Sequence, residues 1–139
     1  GPDKVMWDLD LLKKSGVVAV LSVNNGEMVH ECRLVEFGIA YQHIPLSDNA
    51  PPQEGDLQIC IDALPRIVRF VEDNKTNGTV VIHCRSGKDR TGLALAAYLM
   101  KAKELDETDA MNIVKGVRPI AFSAPGWDEF SEAVLASLR

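Results

Sequence analysis

No stretch of this 139-residue chain approaches the roughly 18 consecutive apolar residues of a membrane-spanning helix. No amino-terminal signal pattern is recognisable. The chain opens on Gly1-Pro2 in place of Met, as expected of a processed form or a tag remnant. Cysteine is scarce. Cys32, Cys60 and Cys84 form an odd set without paired spacing, which speaks against a disulfide framework and against a zinc site. A reducing, cytoplasmic setting is expected from that usage. A basic excess is also missing: 15 Lys and Arg against 20 Asp and Glu leave a formal charge of −5. Proteins that hold nucleic acid by bulk electrostatics carry the opposite balance, so no nucleic-acid partner is expected. Internal repeats, low-complexity tracts and long linkers are absent. What is present is an ordinary globular mix, 46% hydrophobic and 25% charged, which excludes disorder as the main state. The length suits one domain over residues 1–139, able to bury roughly two-thirds of its unfolded surface without staples. A monomer is expected.

Apolar patterns of two kinds alternate along the chain. Residues 8–14 read as a short amphipathic helix ended by Gly16. The β-branched run 17–23 reads as a strand buried on both faces. Asn24-Asn25-Gly26 turns the chain, residues 27–37 read as a helix closed by Gly38, and residues 39–46 as a second strand. Residues 47–55 hold Asp, Asn, Pro and Gly and form a loop. Residues 56–74 read as a helix with Leu57, Ile61, Leu64, Val68 and Val71 on one face, and Pro65 is expected to bend or interrupt it. A third buried strand is predicted over 79–83, and a helix over 91–103 with Leu95 and Leu99 on its core stripe. Asp106 is placed to cap a helix running to Val114, and residues 127–138 form the last one. This alternation predicts an α/β fold: a central, mostly parallel sheet flanked by helices.

The sharpest feature lies between the third strand and the helix after it: His83-Cys84-Arg85-Ser86-Gly87-Lys88-Asp89-Arg90-Thr91-Gly92. A loop at that point aims backbone N–H groups at a helix N-terminus, a natural anion site. Gly87 lets the backbone turn tightly, and Gly92 permits close packing just beyond it. Backbone donors and the positive helix end both stabilise a thiolate, so Cys84 is the candidate nucleophile. Arg90 can return its planar guanidinium to the loop's centre and hold two phosphate oxygens at once. Thr91 can donate its hydroxyl to the Cys84 sulfur. A thiolate beside a bound phosphate is arranged for in-line attack on phosphorus, giving a phosphocysteine that water must cleave. Gly87-Lys88 is no Walker A loop, because Asp89 stands where Ser or Thr should bind magnesium.

The spacing Cys84-x5-Arg90, with His83 before it and Thr91-Gly92 after, resembles the signature loop of the cysteine-based protein tyrosine phosphatases, and within them the small dual-specificity group. The resemblance implies a metal-independent and cofactor-free phosphomonoesterase on a dual-specificity-phosphatase-like fold. In it Arg85, Ser86, Gly87, Lys88, Asp89 and Arg90 bind the phosphoryl group, and His83 and Thr91 support the loop. It also implies a general acid, an Asp on an upstream Pro-rich loop. Ile44-Pro45-Leu46-Ser47-Asp48-Asn49-Ala50-Pro51-Pro52 is similar to that loop and names Asp48, with Asp56 as the runner-up. Arg118-Pro119 and Gly126-Trp127 resemble the family's late segment, where Arg118 would hold either the signature loop or Asp89. Ser123 departs from the family's usual Asn, and no role is assigned to it. The family's usual first strand, ahead of the first helix, is not legible, so the sheet is expected to lack an edge. The shorter Cys-to-Arg loop of rhodanese sulfurtransferases is similar in setting, but it suits a sulfur donor and not a tetrahedral phosphate. A non-catalytic phosphoprotein binder would keep Arg90 and need no thiolate.

The substrate is less determined than the reaction. Arg85 and Lys88 put two further cations beside Arg90. Gly87-Lys88-Asp89-Arg90-Thr91 resembles the loops of phosphatases with mixed phosphotyrosine and phosphoinositide activity. Either Lys88 reads a second phosphate, or it pairs with Asp89 or another carboxylate. The expected partner is a phosphorylated protein, with a phosphoinositide or other polyphosphate as the alternative. Cys32 and Cys60 read as structural, or as redox partners of Cys84 if the fold brings one near.

Overall fold

A computed structural model describes residues 16–23, 36, 38–47, 49–84 and 89–138. Among them, strands β1 (Val17–Ser22), β2 (Ala40–His43) and β3 (Thr79–His83) form one parallel sheet in the order β2-β1-β3. The β-branched composition of β1 fits its central place, and five of its six residues are buried. β2 alternates between exposed and half-buried positions. β3 is buried only at His83, so it is a half-covered outer strand among the described residues and not the fully buried one its composition suggests. A register irregularity between Val17 and Ala19 marks where β1 meets β3.

The chain steps from β1 to β2 on one side, then crosses β1 to reach β3 on the other. Ligand sites of open α/β sheets lie beyond the carboxyl ends of the strands, where the winding direction reverses. The ladder continues there past the strands themselves. Val23 donates to the His83 carbonyl at 2.9 Å, Ile44 to Ser22 at 3.0 Å, and Leu46 to Val23 at 3.1 Å. These bonds bring the exits of β2 and β3, and so Ser47 and Cys84, to the same end of the sheet.

Four helices follow among the described residues: α1 (Asp56–Lys75), α2 (Asp89–Lys103), α3 (Glu107–Val117) and α4 (Trp127–Ala136). α1 packs on β1 and β3, and α2 packs on β3 and touches all three other helices. Leu21, Ile44, Leu46, Leu64, Ile67, Leu93, Trp127 and Leu135 are all buried in one core. Each such side chain contributes about 1.5–3 kcal/mol of transfer free energy. α1 runs unbroken through Pro65, which lies on the exposed side, where water can serve the carbonyl that the ring cannot. Its buried stripe is Cys60, Ala63, Leu64, Ile67, Val68, Phe70 and Val71, while Leu57 is exposed and Ile61 half-buried.

The largest departure from the sequence expectation is on α2. Leu95 is exposed and Leu99 only half-buried, while Leu93, Ala94, Ala96, Ala97 and Met100 are buried. A helix enclosed by a strand and three helices needs small side chains where its neighbours come close. Its alanines, and not its most prominent leucines, therefore mark the core face. The helices read at 8–14 and 27–37 lie outside the described residues, apart from Glu36, which is helical.

Candidate active site

Cys84 follows β3 directly and is 1% exposed, at the carboxyl end of the sheet. Its sulfur accepts a hydrogen bond from the Thr91 hydroxyl at 2.9 Å. Thr91 lies in the first turn of α2 and is itself buried, so donor and sulfur are held by the strand-to-helix geometry. Gly92 lets the segment after α3 pack closely on α2. A Cβ there would lie 3.3 Å from atoms of both Ala121 and Phe122. Arg90 is half-buried in the same first turn. Arg85, Ser86, Gly87 and Lys88 lie outside the described residues.

His83 is buried one residue ahead of the nucleophile. Its Nε2 is hydrogen-bonded to the hydroxyl of Ser22, and that oxygen also accepts from the Tyr41 hydroxyl at 2.8 Å. A chain of three side chains, one from each strand, therefore orients the imidazole from across the sheet. Sequence reasoning missed Ser22 and Tyr41, which stand on separate strands with no local signal. On the other flank, Asp89 accepts from the Ala124 amide at 3.3 Å. That bond ties the start of α2 to the segment between α3 and α4. Arg118 itself is the exposed cap residue at the end of α3.

Asp48 lies outside the described residues, but both its neighbours are placed. Ser47 is buried and Asn49 half-buried. Asn49 donates its side-chain amide to both oxygens of Asp56, at 3.2 and 3.0 Å, and the Gln53 amide donates to the same carboxylate at 2.6 Å. The Gln53 bond, then the Asn49 bond, holds the Asp56 carboxyl below its ordinary value of 3.8, against the opposing cost of burial. A carboxylate committed in this way stays ionised. That suits an anchor for the loop and not a general acid, which must hold a proton to give. The loop includes a cis Ala50–Pro51 bond. Trp127 is 2% exposed, as a packing residue should be, and its indole N–H donates to the Asn49 carbonyl at 2.9 Å. Sequence reasoning missed this bond as well.

Cys60 and Cys84 are both free thiols. Burial pushes the Cys60 thiol up, opposed by a backbone hydrogen bond from Ser47, which favours a protonated packing residue. Cys32 lies outside the described residues. Among the described residues, no helix is long and apolar enough to cross a membrane.

Comparison with known proteins agrees with this geometry. The mouse dual specificity protein phosphatase 19 is 32% identical over 130 residues, covering 93% of this chain and 54% of that protein. The chain thus spans about half the length of this relative. The crystal structure of human DUSP28 matches with a TM-score of 0.73 at 20% identity, over 99% of this chain and 87% of that one. PTPMT1 in complex with PI(5)P matches with a TM-score of 0.70 at 17% identity, over 92% of this chain and 82% of that one. The family model for the dual specificity phosphatase catalytic domain matches residues 2–129. With nearly the whole chain matched and the Cys84 thiol held by the Thr91 hydroxyl, this chain belongs to the dual specificity phosphatase family.

Proposed function

We propose that residues 1–139 form one catalytic domain that hydrolyses phosphomonoesters through a phosphocysteine intermediate. The observation that carries this reading is the Thr91 hydroxyl on the Cys84 sulfur, at the join of β3 and α2. In the first step the Cys84 sulfur bonds to phosphorus and the ester P–O bond breaks. The Asp48 carboxyl gives its proton to the departing oxygen. In the second step the Asp48 carboxylate takes a proton from water as the water oxygen bonds to phosphorus. The S–P bond breaks, releasing phosphate and restoring the thiolate. The Arg90 guanidinium and the backbone amides of residues 85–90 hold the three spectator oxygens. The chemistry requires neither metal nor cofactor. Membership of the family sets the sulfurtransferase alternative aside.

The substrate proposed is a phosphoprotein, on phosphotyrosine or phosphoserine and phosphothreonine. A phosphoinositide is the second reading, favoured by the cations Arg85 and Lys88 and by the likeness of fold to PTPMT1 with its bound PI(5)P. Action as a monomer in the cytoplasm is supported by the free thiols of Cys60 and Cys84 for the compartment alone. Cys84→Ser should abolish turnover of a phosphotyrosine peptide while retaining its binding, because a serine hydroxyl is a poor nucleophile at its ordinary pKa. Activity that persists in this variant, or that EDTA removes from the native protein, would overturn the mechanism.

A further inference from the structure

Three contacts converge on the residues that follow Asp48. The Trp127 indole N–H donates to the main-chain carbonyl of Asn49 at 2.9 Å. The Asn49 side chain donates to both Asp56 oxygens, and the Gln53 amide closes the same carboxylate from the other side. Behind the indole, Gly126 has a φ of +80° and no room for a side chain, since a Cβ there would lie 2.8 Å from Pro52 Cδ. The segment is thus clasped by α4 from one direction and by α1 from another. The indole cannot swing away: it is 2% exposed and meets Phe130 edge-on at 5.1 Å between ring centres. A buried indole N–H must find an acceptor. Here the acceptor is backbone, so the bond fixes the path of the chain and not merely a side-chain rotamer.

Resting on the reading of Asp48 as the general acid, we infer that Trp127, Asn49 and Asp56 are positioning residues for proton transfer to the leaving group. They fix the main chain immediately after Asp48. A proton donor must meet the leaving oxygen at hydrogen-bond distance as the P–O bond stretches, and small displacements of that donor are costly. The carboxyl-terminal helix therefore acts on chemistry that its own residues do not touch. Its effect falls on the proton transfers of Asp48, of which the one to the leaving group depends on the substrate.

The test compares Trp127→Phe and Asn49→Ala, the first keeping an aromatic ring in the core while removing the N–H donor and part of the indole volume. Each is assayed with a phosphotyrosine peptide, whose leaving group needs protonation, and with difluoromethylumbelliferyl phosphate, whose leaving group needs little. Read as kcat/KM, which reports the steps up to phosphocysteine formation, the expected result is a loss of roughly three- to tenfold on the peptide for loss of one such bond. Little change is expected on the acidic ester, or in the inhibition constant of inorganic phosphate. Introduced into Asp48→Asn, either substitution should cost nothing further on the peptide. Equal losses on both substrates, or a further loss in the Asp48→Asn background, would overturn the positioning role and leave Asp48 as the acid. If Asp48→Asn itself lowers both substrates alike, the acid assignment falls and the inference falls with it. Should Trp127→Phe fail to fold by thermal unfolding, Asn49→Ala decides alone.

Discussion

Around Cys84 three side chains support two others: Thr91 bonds the sulfur itself, and Tyr41 acts through Ser22 on the neighbouring His83. Thr91 is legible from the chain, because a strand-to-helix turn returns the first helical residues to the strand's end. Ser22 and Tyr41 are not, since only the parallel pairing of three strands sets them beside residue 83. The cations of the loop allow a prediction at this same scale. If Lys88 reads a second phosphate, Lys88→Met should reduce kcat/KM on phosphoinositides by roughly tenfold or more relative to a simple aryl phosphate. A charge-assisted bond contributes about 1.5–3 kcal/mol, which sets that size. Arg85→Met should act in the same direction. Arg90→Lys should instead lower every substrate alike, through loss of the bidentate grip on the reacting group. Equal losses across the panel for Lys88→Met would leave the protein substrate as the better reading.

Among elements, α3 shows the cleanest agreement between local signal and structure. Asp106 has extended backbone and its carboxylate accepts the Asp109 amide at 2.8 Å, as its place before the apolar pattern predicts. Asp106→Ala should destabilise the fold by about 1 kcal/mol in urea titration and leave kcat unchanged. A loss of activity greater than the loss of folded protein would tie α3 to the site. α2 shows the opposite outcome. Its alanine face is invisible to a reading that follows large apolar residues, because burial there is set by how many neighbours enclose the helix. α1 lies between the two: Leu64, Val68 and Val71 are core as expected, and Leu57 and Ile61 are displaced from the stripe by their place on the helix rim.

For the whole molecule, Asp56 links the loop's anchorage to folding. Its carboxyl is held below the ordinary value of 3.8 in the folded chain, first by the Gln53 amide. A lowered folded value means that the native state holds its proton less firmly than the unfolded chain. The stabilisation is therefore fully present above the unfolded value and is lost as pH falls through the folded one. Asp56→Asn should lower the urea midpoint at pH 7 and lower it progressively less as the pH falls below 3.8. A loss of the same size throughout would mean that packing, and not charge, anchors the loop.

Chain order and residue chemistry by themselves determine the reaction class and the alternation of strands and helices, and they name Cys84 and Arg90 as the candidates for nucleophile and phosphate clamp. These signals are local, held within a strand, a turn or the first turn of a helix, and periodicity and spacing carry them. Tertiary structure decides which partners support them: Ser22 and Tyr41 for His83, Ala124 for Asp89, and Trp127 for the loop beside Asp48. It also surrounds Asp56 with donors, a bonding that its place in the sequence does not announce. Trp127 and Asn49 stand 78 positions apart and become neighbours only once α4 closes on α1. No local propensity encodes that contact, because it exists only where separate elements bury one common core.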